Sequence, residues 1–214
     1  MTVPTASASA IADVLALRGE GGWLTPPLTP MVPATCRASA GVVTVRIERR
    51  DTGADFKPMY EVLSAENKGK VLVVAGAIDI GGAIWGEILT VAAIQAGFAG
   101  VAIDGFVRDL SAMATLGLPI YASGTAVVGP LGRAHVAAVG EAVTIGGFEV
   151  SPTDHVVLDD SGCVRLHAHE VDEVLTAATE YEKAEEEVLK ALASGERLSS
   201  AYRYKADVVA RLRR

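Results

Sequence analysis

Residues 71–109 read VLVVAGAIDIGGAIWGEILTVAAIQAGFAGVAIDGFVRD. The run at 71–75 has the length and valine content of a buried strand. A glycine-rich segment with Asp79, Gly81 and Gly82 follows, and a helix is expected to begin near Trp85, Gly86 and Glu87. A second apolar run at 100–103 gives way to Asp104-Gly105 and then to Arg108-Asp109. Strand, helix and strand in succession predict an α/β unit. In such units ligands collect beyond the carboxyl ends of the strands. Short apolar strands leave no room for charge inside, so Asp79, Glu87, Asp104, Arg108 and Asp109 are expected at strand ends, where they can converge.

Carboxylates gathered with one arginine suit a hard divalent cation and an anionic, oxygen-rich substrate. The arginine fork matches carboxylates and enolates. The N–H groups of Ile88 and Leu89, in the first turn of the expected helix, suit a substrate carboxylate. The competing reading is a tight turn with ordinary surface ion pairs, and spacing alone leaves both open. Asp104 is read as fixing the turn before Gly105 rather than as lining a pocket. No lysine falls within 71–109, which disfavours a Schiff-base mechanism. No Walker A sequence occurs, and the glycines at 76–86 do not fit a dinucleotide fingerprint.

Outward from this stretch, 214 residues suit one ordinary domain. Half of them are hydrophobic and only 5% aromatic, so the core is expected to be Val, Ala, Ile and Leu. A net charge of −7 argues against a nucleic-acid surface. The two cysteines, Cys36 and Cys163, make no disulfide framework and are read as small buried or half-buried thiols. No apolar run reaches the ~18 residues of a membrane span, and the first residues lack a basic and apolar leader pattern. A soluble cytoplasmic protein with no membrane partner is expected. Residues 1–8 are read as a disordered lead-in, 9–17 as a short helix and 19–33, with their prolines, as a loop. A half-exposed strand is expected at 41–49 and a helix at 56–65. The helix at 85–96 should be well buried. A short helix is read at 110–116, a brief strand at 120–122 and a long connection at 124–139. Two hairpins should turn at Gly146-Gly147 and at residues 159–162. His167 and His169 are read as a strand end or helix cap rather than as metal ligands.

Residues 171–193 have the period of a long amphipathic helix. Its second half is acidic, with Glu180, Glu182, Glu185, Glu186 and Glu187, and such a run is ordinarily a solvated face. Residues 199–214 follow as a basic helical tail, set apart from a single domain spanning 1–198 and read as an assembly or solvation element.

Gly86-Glu87, twenty intervening residues, and Arg108-Asp109 within IDGFVRD resemble the RraA-like family. The resemblance continues in GLPIYASGTAVVGP (117–130), VTIGGFEVSPTDHVVLDDSGCV (143–164) and the long acidic helix. It implies a swivelling β/β/α domain with a mixed central sheet flanked by helices. That family contains 4-hydroxy-4-methyl-2-oxoglutarate and 4-carboxy-4-hydroxy-2-oxoadipate aldolases, together with the regulator of ribonuclease activity. Carried over by position, Asp109 would ligate Mg2+ or Mn2+, Glu87 would act through a bound water, and Arg108 would contact the substrate keto oxygen. Gly86, Ile88 and Leu89 would frame the substrate. Glu185 would reach a neighbouring subunit's site through water, in a homotrimer or a dimer of trimers, with Glu182 and Glu186 as alternatives. The family often has Asp at position 87 and an acid at position 112, which here is Ala112. The implied function is metal-dependent retro-aldol cleavage of a 4-hydroxy-2-oxo acid to pyruvate, with oxaloacetate decarboxylation as a side activity. The alternatives are a non-catalytic regulator that binds a ribonuclease or helicase, and a family member recruited to another decarboxylation or isomerisation.

Overall fold

Side-chain alternation in the central strands decides the layering. The computed structural model describes residues 6–25, 28–33, 37–38 and 41–213. Its elements are α1 (Ala8–Leu17), β1 (Thr29–Val32), β2 (Arg37–Ala38), β3 (Val42–Arg49), α2 (Lys57–Ser64), β4 (Val71–Ala75), a 3-10 turn (Ala77–Ile80), β5 (Ala83–Trp85), α3 (Glu87–Gln95), β6 (Gly100–Val107), α4 (Leu110–Leu116), β7 (Ile120–Thr125), β8 (Ala134–Val139), β9 (Val143–Ile145), β10 (Phe148–Val150), β11 (His155–Asp159), β12 (Gly162–Leu166), α5 (Val171–Ala193), α6 (Leu198–Ala201) and α7 (Arg203–Leu212).

The central sheet has seven strands in the order β1-β7-β6-β4-β3-β8, with β5 also paired to β6. β3, β4, β6 and β7 run parallel, and β1 and β8 close the edges antiparallel. β4 is buried along its length, and its residues sort by parity. Leu72 and Val74 pack with Met59 and Leu63 of α2, Ala93 of α3 and Met113 of α4. Val71, Val73 and Ala75 pack on the opposite face against Val143, Ile145 and Val150 of the β9–β10 hairpin and Val156 and Leu158 of β11. The strand at 155–159 alternates in turn: Val157 faces away from the central sheet, into a second core with Ile11 of α1 and Val174 and Leu175 of α5. The layers are therefore helices, mixed sheet, small sheets and outer helices. This is the mixed α/β arrangement expected from the sequence.

Several boundaries differ from the expectation. The segment read as a loop holds β1, whose Pro30 is tolerated because β1 is an edge strand with a register irregularity beside it. β6 does not stop at Ile103. It runs through Asp104-Gly105 to Val107, because Gly105 brings the strand against Ala77 where a Cβ would lie 2.7 Å from the alanine methyl. Asp104 is therefore a mid-strand residue, receiving a hydrogen bond from Ser123 Oγ at 3.3 Å, and it fixes no turn. The connection expected at 124–139 contains β8. α3 buries only Thr90 and Ala93, and Ile88 is 82% exposed, so this helix is not enclosed as expected. Both hairpins form as read, Gly146 and Gly147 both taking positive φ. Of the expected lead-in, residues 1–5 lie outside the described residues. Ala6 is buried, Ser7 caps α1 by accepting from Ala10 N–H, and Ala8 starts the helix. Cys36 also lies outside the described residues. Among the described residues no helix is long and apolar enough to cross a membrane.

The tail is packed onto the domain. Leu212 of α7 is buried in the core formed with α1 and α5. Lys205 reaches Glu185 at 2.6 Å and lies 3.9 Å from the centre of the Tyr181 ring, and Arg211 reaches Glu180 at 2.7 Å. Burial opposes the Lys205 charge, but Glu185 and Tyr181 more than offset it and hold its pKa above the ordinary lysine value. The acidic face expected to be solvated is in part covered by the basic helix that follows it.

Candidate functional site

Two strand-to-helix junctions meet at the carboxyl edge of the central sheet. The first runs from β5 through Gly86 into α3. Trp85 is buried and donates from its indole N–H to Thr90 Oγ1 at 2.9 Å, and Thr90 Oγ1 donates to the Gly86 carbonyl at 2.9 Å. This buried chain pins the corner. Thr90→Val, near-isosteric but without the hydroxyl, should leave the Trp85 N–H unpaired and cost about 1–3 kcal/mol of stability. Thr90→Ser should recover most of that loss, both read by denaturant unfolding.

The second junction runs from β6 through Arg108 and Asp109 into α4. Arg108 N–H donates to the Trp85 carbonyl at 3.0 Å, tying the junctions together. Asp109 turns the chain in a single left-handed residue, φ 62 and ψ 36. That conformation costs an L-residue roughly 1–2 kcal/mol, least for Asn and Asp, and such outliers gather at functional sites. It brings Asp109 Oδ2 to the start of α3, where Glu87 N–H donates to it at 3.3 Å. Arg108 Nε lies 3.7 Å from the same oxygen. Gly86 is required here for space: its extended backbone suits any residue, but a Cβ would fall 2.5 Å from Asp109 Oδ2 and 3.2 Å from Arg108 Cγ. Gly129 closes the other side, since a Cβ there would lie 3.4 Å from Arg108 Nη1.

These groups open on a cleft of about 480 Å³. Gly86, Glu87, Ile88, Leu89, Arg108 and Asp109 all line it, so these six sequence-derived residues are brought together. Thr90 N–H is spent on the Gly86 carbonyl and Glu87 N–H on Asp109. The N–H groups of Ile88 and Leu89 remain as first-turn donors that the helix itself does not use. Arg108 and Asp109 are each about half exposed, their side chains at 47% and 46%. Asp79, exposed on the otherwise half-buried 3-10 turn, and Asp104, within β6, are not among the lining residues. Phe56, Tyr60 and Pro130 are, and the sequence reading gave them no role. The signal available was topological: the segment 50–56 leaves the carboxyl end of β3, a parallel strand of the same sheet.

Among the described residues, no group of three or more His, Cys, Asp and Glu side chains is gathered as a metal cage. The cleft instead offers two carboxylates, Asp109 and Glu87. That donor set suits a hard ion such as Mg2+, which keeps several waters and uses one or two carboxylates together with substrate oxygens. Ala112, half-buried on α4, adds none. Glu185 is engaged with Lys205 of its own chain, Glu182 Oε1 accepts from Ser7 N–H at 2.8 Å, and Glu186 is exposed. His167 stacks on His169 at 5.5 Å and pairs with Asp154 at 3.2 Å beside the start of α5, a structural position as expected. Burial pushes the Cys163 thiol up to about 12, which leaves it an inert core group.

The RraA-like family model, described as Aldolase/RraA, matches residues 8–165. A protein of Halalkalibacterium halodurans provisionally named 4-hydroxy-4-methyl-2-oxoglutarate aldolase is 27% identical over 159 residues, covering 74% of this chain and 73% of its own. DlpA of Legionella pneumophila is 24% identical over 192 residues, which is 89% of this chain but only 31% of that longer protein. Among solved structures, RraAS2 of Streptomyces coelicolor, described as an unusual member of the RNase ES inhibitor RraA protein family, superposes with a TM-score of 0.72 at 26% identity, covering 86% of this chain and 91% of that one. With more than half of its length matched by that family model, this chain belongs to the RraA-like family.

Proposed function

We propose that the chain is a divalent-metal-dependent lyase that cleaves a 4-hydroxy-2-oxo acid to pyruvate, with oxaloacetate decarboxylation as a side activity. The observation that carries this reading is the convergence of the Arg108 guanidinium, the Asp109 carboxylate and the unused N–H groups of Ile88 and Leu89 on one cleft. Asp109, with Glu87 acting through water, would hold Mg2+ or Mn2+, and the cation would supply Lewis-acid polarisation of the keto group. The Ile88 and Leu89 N–H groups would bind the substrate carboxylate at the helix N-terminus. Arg108 would direct its fork at the keto oxygen. As the C3–C4 bond breaks, its electron pair moves into the C2–C3 bond and onto that oxygen, and Arg108 stabilises the charge that forms. The proton of the 4-hydroxyl passes to water beside the Glu87 carboxylate. Protonation at C3 gives pyruvate, and the other fragment leaves as a carbonyl compound. Decarboxylation of oxaloacetate generates the same enolate.

The test is pyruvate release from oxaloacetate, 4-hydroxy-2-oxopentanoate and 4-hydroxy-4-methyl-2-oxoglutarate, with magnesium and with a chelator. Magnesium-dependent release from at least one is expected. No release from any would refute the lyase reading. It would favour the regulator reading, which draws its support from the description of the Streptomyces neighbour.

We also propose a homotrimer or a dimer of trimers. Ile88 lines the cleft, Leu131 lies in sequence between its lining residues Pro130 and Gly132, and Val127 lines the adjoining depression with Arg108 and Asp109; they are 82%, 65% and 98% exposed. Large apolar side chains left exposed around a cleft are a feature of contact surfaces. Leu131 is also held at a positive φ of 52. In such an assembly Glu185 would have to leave Lys205 to serve a neighbour's site. Light scattering at micromolar concentration should give a trimer or hexamer mass, and a stable monomer would remove both the assembly and the role of Glu185.

A further inference from the structure

We propose that His135 is a pH-sensitive clasp on one wall segment of the cleft, closed while its imidazole is neutral and released when the ring takes a second proton. The proposal concerns the segment itself and does not depend on the lyase reading. The segment is 50–56, which follows β3 and leads into α2. Ala54 and Phe56 line the cleft from it, and Tyr60 follows on α2. Asp55 lies between the two lining residues and is exposed, so core burial does not fix it. Hydrogen bonds hold it instead. Its N–H donates to His135 Nδ1 at 3.1 Å, its carbonyl accepts from Val136 N–H at 2.9 Å, and its Oδ1 accepts from Lys57 N–H at 2.9 Å at the start of α2.

The first of these bonds fixes the state of the ring. A backbone N–H can only donate, so the Nδ1 that receives it carries a lone pair and no proton. The ring is then the neutral form protonated on Nε2. A charged imidazole donates from both nitrogens. Its Nδ1–H would meet the Asp55 N–H, two donors with no acceptor between them. Histidine is the side chain that ordinarily changes charge between pH 5 and 8. The closed clasp excludes a proton that the open one accepts, so linkage favours closure at higher pH and release as pH falls. The surrounding charges give the released ring a partner. Glu48 of β3 is the register partner of His135; Arg46 shares it, and Arg50 lies 3.9 Å away. Asp51 on the segment pairs with Arg49 at 3.1 Å and with Arg133, which precedes β8, at 3.7 Å. α2 packs in the same core as β8 and adds Lys57 and Glu61, both exposed. Glu48 stands directly across the strand pair, so an imidazolium turns towards it and away from Asp55.

Hydrogen exchange on the whole protein reads the clasp amide by amide, once each rate is divided by its intrinsic value at that pH. Two variants bracket the wild type. His135→Asn puts an amide oxygen where Nδ1 stood, an acceptor at every pH, and His135→Ala leaves no acceptor. Neither opens the core, since His135 is half-buried on an edge strand. At about pH 7.5 the wild-type Asp55 amide should be as protected as in His135→Asn. At about pH 5.5 its protection should fall roughly three- to tenfold, the worth of one hydrogen bond, to the level of His135→Ala, with His135→Asn unchanged. The Val136 and Lys57 amides, which donate to Asp55, should lose protection in the same step, because the segment moves as a unit. If wild-type Asp55 keeps its protection at the lower pH, or loses it equally in His135→Asn, His135 is not the group that titrates and the proposal is overturned. If Asp55 alone responds while Val136 and Lys57 hold, a single bond has changed partner and the segment has stayed in place, which overturns the clasp.

Discussion

Asp109→Asn should lower turnover roughly 10³-fold or more while leaving the unfolding midpoint almost unmoved. Asn is the closest replacement that the backbone allows. It tolerates the left-handed conformation that Asp109 adopts at φ 62, and its amide oxygen can still accept the Glu87 N–H that Asp109 Oδ2 receives at 3.3 Å. What it loses is the negative charge, and with it the proposed hold on a divalent cation. Lewis-acid polarisation is worth several kcal/mol, and each loss of about 1.36 kcal/mol is a factor of ten in rate. Asp109→Ala should lose as much activity and in addition cost the fold about 1 kcal/mol, since alanine fits poorly at positive φ. Steady-state kinetics across a magnesium titration, paired with thermal unfolding, separates the two effects. Wild-type turnover and unchanged magnesium dependence in Asp109→Asn would show that the charge has been given the wrong task.

The sequence made the central junctions legible because they are local. A strand at 71–75, a glycine-rich segment and a helix beginning near Gly86-Glu87, then a second strand followed by Arg108-Asp109, put Glu87, Arg108 and Asp109 near strand ends without knowledge of the rest of the chain; the short strand β5 before Gly86 was not read. The resemblance to a known family then supplied roles that spacing could not. The same reading placed Asp104 at a strand end too, because it ended the second strand four residues early, at Ile103 rather than Val107; Asp79 does follow the end of β4, but it does not line the cleft. A polar Asp-Gly pair ordinarily signals a turn. Here the neighbouring strand satisfies it, Ser123 donating to Asp104 at 3.3 Å, while Gly105 gives the close approach to Ala77. The wall at Phe56 and Tyr60 was missed because it comes from a different βα unit, and only the sheet order brings it beside Arg108. The acidic run of α5 and the basic run of α7 were each legible by composition. Their pairing, Glu185 with Lys205 and Glu180 with Arg211, is a tertiary event that no charge count reveals.

Arg108→Lys should lower kcat by roughly 10²–10³-fold, the range found when one oxyanion donor is removed, and should change KM much less. The reason lies in when charge appears. The keto oxygen is neutral in the bound substrate and anionic once the C3–C4 bond has broken, so a donor aimed at it contributes more to the transition state than to the ground state. Lysine keeps the positive charge but lacks the planar fork. The site around Arg108 is shaped to that plane: Gly129 leaves space beside Nη1 that a Cβ would narrow to 3.4 Å, and Asp109 Oδ2 faces Nε at 3.7 Å. A lysine ammonium in the same slot would settle toward the Asp109 carboxylate, away from the oxygen it must serve. Substrate binding should survive, because its carboxylate would still meet the Ile88 and Leu89 N–H groups at the start of α3. If Arg108→Lys raises KM alone and leaves kcat intact, Arg108 only clamps the ground state, and enolate stabilisation must come from elsewhere in the cleft.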